Sequence, residues 1–234
     1  MFTSRRVTLA RLPQSQVELS DFGSDEVELP ALQDGEFLMN VEYLSIDPTI
    51  RGWMSYDTYL PKIGIGDVIR SAGAGEVLES RNAAYPVGMR VFGMPGWQEH
   101  AVLTGGVPIP EGVTYEQALS VFGVTGLTAY VGLEDIGKPQ PGETVVVSGA
   151  AGGVGSIAGQ IAKIMGARVI GLAGSEQKCR WVVDELGFDD CIDYRSEDIG
   201  AGLSRTCPNG IDVYFDNVGG ETLNEVLARI NDHA

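Results

Sequence analysis

The sequence predicts an α/β protein in two parts: a β-rich first half forming a small closed or half-closed barrel, and a second half built as a doubly wound parallel sheet. Three observations predict this. Short apolar runs with glycine corners fill the first half. From about residue 115 onward, strand and helix patterns alternate. Within that second half, VVVSGAAGGVGSIAGQIAKIMGARVIGLAG (145–174) runs from an apolar strand through a glycine cluster into a helix and on to a second strand.

Each element has a local reason. In GEFLMNVEYLSIDP the apolar residues Phe37, Met39, Val41 and Tyr43 alternate, which is strand periodicity, and Asp34-Gly35 before them is a turn signal. Gly64, Gly66, Gly73 and Gly75 punctuate further short runs, and YPVGMRVFGMPGWQEHAVL adds a turn and two short strands. YEQALSVFGVTGLTAYVGLEDIG (115–137) is helical in character despite two internal glycines, and KPQPGE is a loop. Val145–Val147 is a continuous β-branched run, as in a strand buried on both faces. Val154, Ile157, Ala158, Ile161, Ala162 and Met165 share one helical face, and Gly166 stands where a helix C-terminus favours glycine. RVIGLAG is a second strand, Glu176–Leu186 a second helix, DDCIDY a third strand and IDVYFDNVGG a fourth. The domain division this implies is 1–122 and 123–234.

Composition narrows the function. A net charge of −16 repels nucleic acid and anionic membranes, and no apolar run approaches the ~20 residues of a membrane-spanning helix. The N-terminal stretch does not read as a secretion signal. Cys179, Cys191 and Cys207 are odd in number and lack Cys-x-x-Cys spacing, so they read as separate structural thiols kept reduced in a cytoplasmic setting.

The glycine cluster matches the dinucleotide fingerprint G-x-G-x-x-G in the register Ala150-x-Gly152-x-x-Gly155, with alanine in the first glycine position. Gly152 lets the backbone approach a pyrophosphate, Gly155 lets the helix pack close to the strand, and the helix N-terminus offers free N–H groups to the anion. An NAD site places an acid at the end of the second strand to hold the ribose 2′-hydroxyl. Here that strand ends Leu172-Ala173-Gly174-Ser175, without an acid, and Lys178 and Arg195 follow. Ser175 can donate a hydrogen bond, while Glu176 is the one nearby acid that could turn to a hydroxyl. The pattern favours NADPH.

These features resemble a zinc-independent medium-chain dehydrogenase/reductase, in particular the NADPH-dependent double-bond reductases of the prostaglandin reductase and 2-alkenal reductase group. The resemblance covers nearly the whole chain and rests on LSIDPTIRGWM (44–54), GVTGLTAYVGL (123–133), SGAAGGVGSIAGQIAK (148–163), AGSEQK (173–178), DY (193–194) and YFDNVGG (214–220). It implies a GroES-like β-barrel domain followed by an incomplete Rossmann sheet. It also implies that Gly152, Gly153, Val154 and Gly155 line the pyrophosphate and that Lys178 meets the 2′-phosphate, with Ala151 and Ser175 counted among the cofactor-binding residues. Tyr194 would lie beside the adenosine, and Asn217 would approach the nicotinamide side. The implied reaction reduces the C=C bond of α,β-unsaturated aldehydes and ketones by hydride delivery to the β-carbon, with a donor near the carbonyl oxygen for the developing oxyanion.

Two departures matter. Where the group commonly has tyrosine after Asp-Pro, this chain has Thr49; Tyr56 and Tyr59 lie nearby in the pocket segment, where each also reads as a packing residue. The sequence also stops at LARINDHA, where a fifth strand of the sheet is expected, so it reads as a fragment of a longer enzyme whose catalytic tyrosine lies beyond its C-terminus, leaving the catalytic residue unknown. The fourth strand would then be an open apolar edge. Members of the group often dimerise through the sheet region missing here, which leaves the oligomeric state open. A catalytic zinc is disfavoured on ligand count: all three cysteines follow Lys178 and the histidines are only His100, read as structural, and His233. The alternatives are an NADPH:quinone reductase and a non-catalytic NADPH-binding remnant.

Overall fold

The computed structural model describes residues 2–234, which divide into two compact units, one ending at Leu119 and one running from Ser120 to Ala234. In the first unit, β1 (Thr3–Leu9) and β2 (Phe22–Glu28) form an antiparallel pair. The remaining strands are β3 (Phe37–Leu44), β4 (Gly73–Ser80), β5 (Arg90–Gly93), β6 (His100–Leu103) and β7 (Val107–Pro108), in the order β6-β3-β4-β5-β7. Backbone bonds from Val7 N–H to the Trp97 carbonyl (2.8 Å) and from Glu99 N–H to the Arg5 carbonyl (3.0 Å) tie β1 beside β6, so the unit is a half-closed barrel. Phe37, Met39, Val77 and Val91 fill it. Short helices α1 (Pro48–Trp53) and α2 (Tyr115–Leu119) complete the unit. Helix α1 starts with proline at its first position, where the missing N–H costs nothing.

The second unit begins with α3 (Val124–Val131), which continues as a wider π-type turn over Gly132–Gly137. The single helical stretch expected over 115–137 is therefore broken. Thr125 Oγ1 (2.7 Å) and Gly126 N–H (3.0 Å) both donate to the Ser120 carbonyl, folding the chain back between α2 and α3. A Cβ at Gly126 would lie 1.8 Å from the Val121 carbonyl oxygen, so only glycine permits that turn.

Strands β8 (Thr144–Ser148), β9 (Arg168–Ala173), β10 (Asp190–Asp193) and β11 (Val213–Phe215) form a parallel sheet in the order β10-β9-β8-β11. Helices α4 (Gly153–Ile164) and α5 (Glu176–Asp184) follow β8 and β9, and α6 (Ile199–Thr206) and α7 (Gly220–Leu227) follow β10 and β11. Alternation along β8 sorts the core. Val145 and Val147 pack with Ala158, Ala162 and Val182 from α4 and α5, whereas Val146 packs with Leu203 and Val226 from α6 and α7. Helices on both faces bury the whole strand, which is why its sequence is a continuous apolar run. Gly166 follows α4 with φ +88°, as a helix C-terminal glycine does.

Two expectations are corrected here. The fourth strand, three residues long, is the open edge of the sheet as expected, but the start of its apolar run is covered: Ile211 is fully buried and pairs in parallel with Ile230. Arg229 and Asn231 supply the backbone partners, at 3.1 and 2.8 Å. Nor are all the cysteines separate, because α5 and β10 bring Cys179 and Cys191 together with their sulfurs 2.6 Å apart.

Candidate functional site

Because the four strands of the second unit are parallel, all end at one edge of the sheet. The order reverses between β8, whose chain passes to β9, and β11 on its other side, and a ligand crevice forms at such a switch point. The residues anticipated from sequence in this unit lie on that edge.

At the end of β8 the chain turns through Gly149, whose φ of +57° lies in the left-handed region. The tight-turn position is thus Gly149, and Ala150, placed there by the sequence register, is instead fully buried with its N–H bonded to the Leu172 carbonyl at 3.0 Å. A glycine directly after the strand was the available signal. Gly152 is the N-cap of α4, and no side chain caps the helix. A Cβ at Gly155 would lie 2.3 Å from the Gly149 oxygen, so glycine is what brings the helix start against the strand end. Cβ atoms at Gly152 and Gly153 would meet nothing closer than 3.0 and 3.3 Å. Both glycines are exposed, and Ala151 and Val154 are half-buried beside them. An uncapped helix start with a bare backbone face fits a dinucleotide pyrophosphate.

At the end of β9, Ser175 caps α5, its Oγ accepting from Lys178 N–H at 3.3 Å. The hydroxyl proton stays available for donation. The Lys178 side chain is exposed and has no ion pair among the described residues. Glu176 lies toward Arg180, 3.8 Å away along the same helix. Tyr194, after β10, is 42% exposed, its N–H bonded to the Ala173 carbonyl and its hydroxyl set over Gly174. Arg195 is exposed next to it.

The end of β11 is held by a polar hub that the sequence reading did not single out. Asp216 Oδ1 accepts from the Tyr214 hydroxyl (2.9 Å), the Ser148 hydroxyl (3.2 Å), Val218 N–H (3.0 Å) and Gly219 N–H (2.8 Å). Burial opposes ionisation of Asp216, but these donors outweigh it and hold the carboxyl below its usual range. Burial and the neighbouring carboxylate push the Tyr214 hydroxyl up. Asn217 donates from its N–H to Ser148 Oγ and from Nδ2 to the Ser148 carbonyl, both at 2.8 Å. The ends of β8 and β11 are thereby locked together. The adjacent Ser148 and Asp216 lie within the quoted motifs, but their link spans 68 residues and only the sheet reveals it.

Thr49 and Tyr56 belong to the first unit. Thr49 is exposed on α1, and Tyr56 is 61% exposed with its hydroxyl over Gly52. Tyr59 stands edge-on to Trp53 at 6.3 Å. His100 bonds the Thr3 carbonyl through Nδ1 at 2.8 Å.

A profile described as the N-terminal domain of oxidoreductase matches residues 5–109, and one described as zinc-binding dehydrogenase matches residues 153–233. The NADPH-dependent curcumin reductase of Escherichia coli (strain K12) is 39% identical over 235 residues, covering 99% of this chain and 68% of the relative. The chain belongs to the medium-chain dehydrogenase/reductase family. Prostaglandin reductase 1 of Bos taurus is 40% identical over 218 residues, covering 90% of this chain and 64% of that family member. The crystal structure of CurA in complex with NADPH from Vibrio vulnificus superposes with a TM-score of 0.93 at 40% identity, covering 98% of this chain and 69% of the other. This medium-chain dehydrogenase/reductase chain thus spans about two thirds of the length of these relatives. Among its described residues no group of three or more His, Cys, Asp or Glu is placed to hold a metal, and no helix is long and apolar enough to cross a membrane.

Proposed function

We propose that the chain carries the cofactor-binding part of an NADPH-dependent oxidoreductase that reduces the C=C bond of α,β-unsaturated aldehydes and ketones. The observation that carries the cofactor reading is the order of features along the sheet edge. Lys178, Ser175 and Tyr194 stand at β9 and β10, the bare start of α4 at β8, and Asn217 with its Asp216 support at β11. This sequence fits the 2′-phosphate and adenosine, the pyrophosphate and the nicotinamide in turn. The reductase relatives support the substrate class.

When bound, the cofactor supplies a hydride to the substrate's β-carbon. The chain's own residues bind and orient. The first-turn amides of α4, from Gly153 to Gly155, donate to the pyrophosphate, and the helix dipole favours its charge. Ala151, Gly152 and Val154 shape the turn around it. Lys178 and the Ser175 hydroxyl hold the 2′-phosphate, which the exposed edge admits because Glu176 lies toward Arg180. Asn217, its Nδ2 committed to the Ser148 carbonyl, keeps Oδ1 for the nicotinamide side. Thr49 and Tyr56 contribute to the substrate pocket, where threonine in place of the family's tyrosine leaves more room.

The test is NADPH binding by fluorescence together with NADPH oxidation by the purified chain on a simple alkenone and on a quinone. Faster turnover of the alkenone supports the reading, and preference for the quinone transfers the chain to the quinone reductases. Binding without turnover on either restricts the reaction to a longer protein.

A further inference from the structure

Cys179, in the first turn of α5, and Cys191, on β10, are 12 residues apart in sequence and have no motif spacing, yet their sulfurs lie 2.6 Å apart. That is only about 0.5 Å longer than an S–S bond, although both are free thiols. Both are half-buried rather than sealed in the core. Cys207 is buried elsewhere, with Thr206 Oγ1 as its sulfur's polar neighbour at 3.6 Å.

We propose that Cys179 and Cys191 are a reversible redox pair, oxidised by a peroxide to a disulfide that ties the first turn of α5 to β10. The reaction balances as two thiols and one peroxide giving one disulfide and two waters. Cys179, as thiolate, attacks a peroxide oxygen; the O–O bond breaks, forming the sulfenic acid and releasing hydroxide, which takes up the thiol's proton as water. Cys191 then attacks the sulfenyl sulfur. The S–S bond forms, the S–O bond breaks, and the hydroxyl leaves with the Cys191 proton as the second water.

The order of the two steps follows from their surroundings. Burial pushes both thiols up, and of the two only Cys179 sits in the first turn of a helix, whose N-terminus favours the thiolate that attacks the peroxide. Asp193 also raises both. Burial slows the attack on peroxide, and proximity of the second sulfur favours resolution of the sulfenic acid over a further encounter with peroxide. The inference does not depend on the cofactor reading.

The test uses the full chain, reduced, treated with hydrogen peroxide, quenched and alkylated under denaturing conditions before peptide mass spectrometry. The expected result is alkylation at Cys207 alone, a cross-linked peptide joining Cys179 to Cys191, and recovery of three alkylations after dithiothreitol. Cys179→Ser is expected to abolish the cross-link and leave Cys191 alkylated. Full alkylation of both after peroxide, a Cys179 sulfinic acid without cross-link, or a cross-link through Cys207 would each overturn the proposal. The wild-type peptide map decides the matter even where the variant folds poorly.

Discussion

Replacing Gly155 by alanine tests how the glycine turn is built. The new Cβ would lie 2.3 Å from the Gly149 oxygen, 2.9 Å from its carbonyl carbon and 3.1 Å from Ala150 Cα. All three are backbone atoms, so no side-chain rotation relieves the contact, and the first approach is about 1 Å inside ordinary contact. Either α4 or the end of β8 must shift. Overpacking of this kind costs about 3 kcal/mol, the upper end of its range, because backbone must move. Alanine in place of helical glycine returns about 1 kcal/mol. The net is a loss of about 2 kcal/mol, or a fall in Tm of roughly 4–8 °C, with weaker NADPH binding as the helix start moves. Gly153→Ala is the control. Its Cβ would meet only the Thr125 methyl at 3.3 Å, so its stability should stay within about 0.5 kcal/mol of wild type. Thermal and urea unfolding, with fluorescence titration of NADPH, read both. A Gly155→Ala chain as stable as wild type, or a Gly153→Ala chain that falls as far, would refute the reasoning.

Other expectations follow from the same geometry. Lys178→Ala should raise the NADPH dissociation constant about tenfold, the size of one lost charge-assisted bond at an exposed site, and leave NADH nearly unchanged; equal losses by titration would remove the 2′-phosphate assignment. Asp216 is held below its usual range, so its contribution to stability is complete above the unfolded-state value of about 3.9 and is lost as pH falls through the lower folded value. The stability advantage of wild type over Asp216→Asn, measured by urea unfolding, should therefore be full near pH 6 and vanish in acid; a difference that ignores pH would count against the hub. A Cβ at Gly159 would lie 1.7 Å from the Phe188 ring, which is 3% exposed. Gly159→Ala should thus destabilise by about 1–3 kcal/mol, and Phe188→Leu should rescue part of it, giving about 1 kcal/mol of coupling in a double-mutant cycle; strict additivity would contradict the packing.

Much of the second unit was legible because its signals are local. A strand covered on both faces must be apolar throughout, and Val145–Val147 says so without any partner in view. An amphipathic helix writes its period into the chain, and the residues from Val154 to Met165 form the face that α4 buries. The absence of an acid at the tip of β9, and the presence of Lys178 and Tyr194 at that edge, were readable for the same reason. A parallel βαβ unit places whatever follows each strand at one edge of the sheet.

What the tertiary structure alone decided concerns groups distant in sequence, or a balance between neighbours. Gly149 rather than Ala150 takes the left-handed turn, because Ala150 must bury its methyl and bond Leu172 on the adjacent strand. The helix expected over 115–137 breaks because the Ser120 carbonyl is claimed by Thr125 and Gly126. The Asp216 hub joins β11 to Ser148 across 68 residues, and Cys179 meets Cys191 only because α5 returns the chain beside β10. Periodicity reports which face of an element is dry. It carries no information on which distant polar atom or sulfur the fold will set against it, since that depends on strand order and register, and these are settled by packing the whole sheet at once.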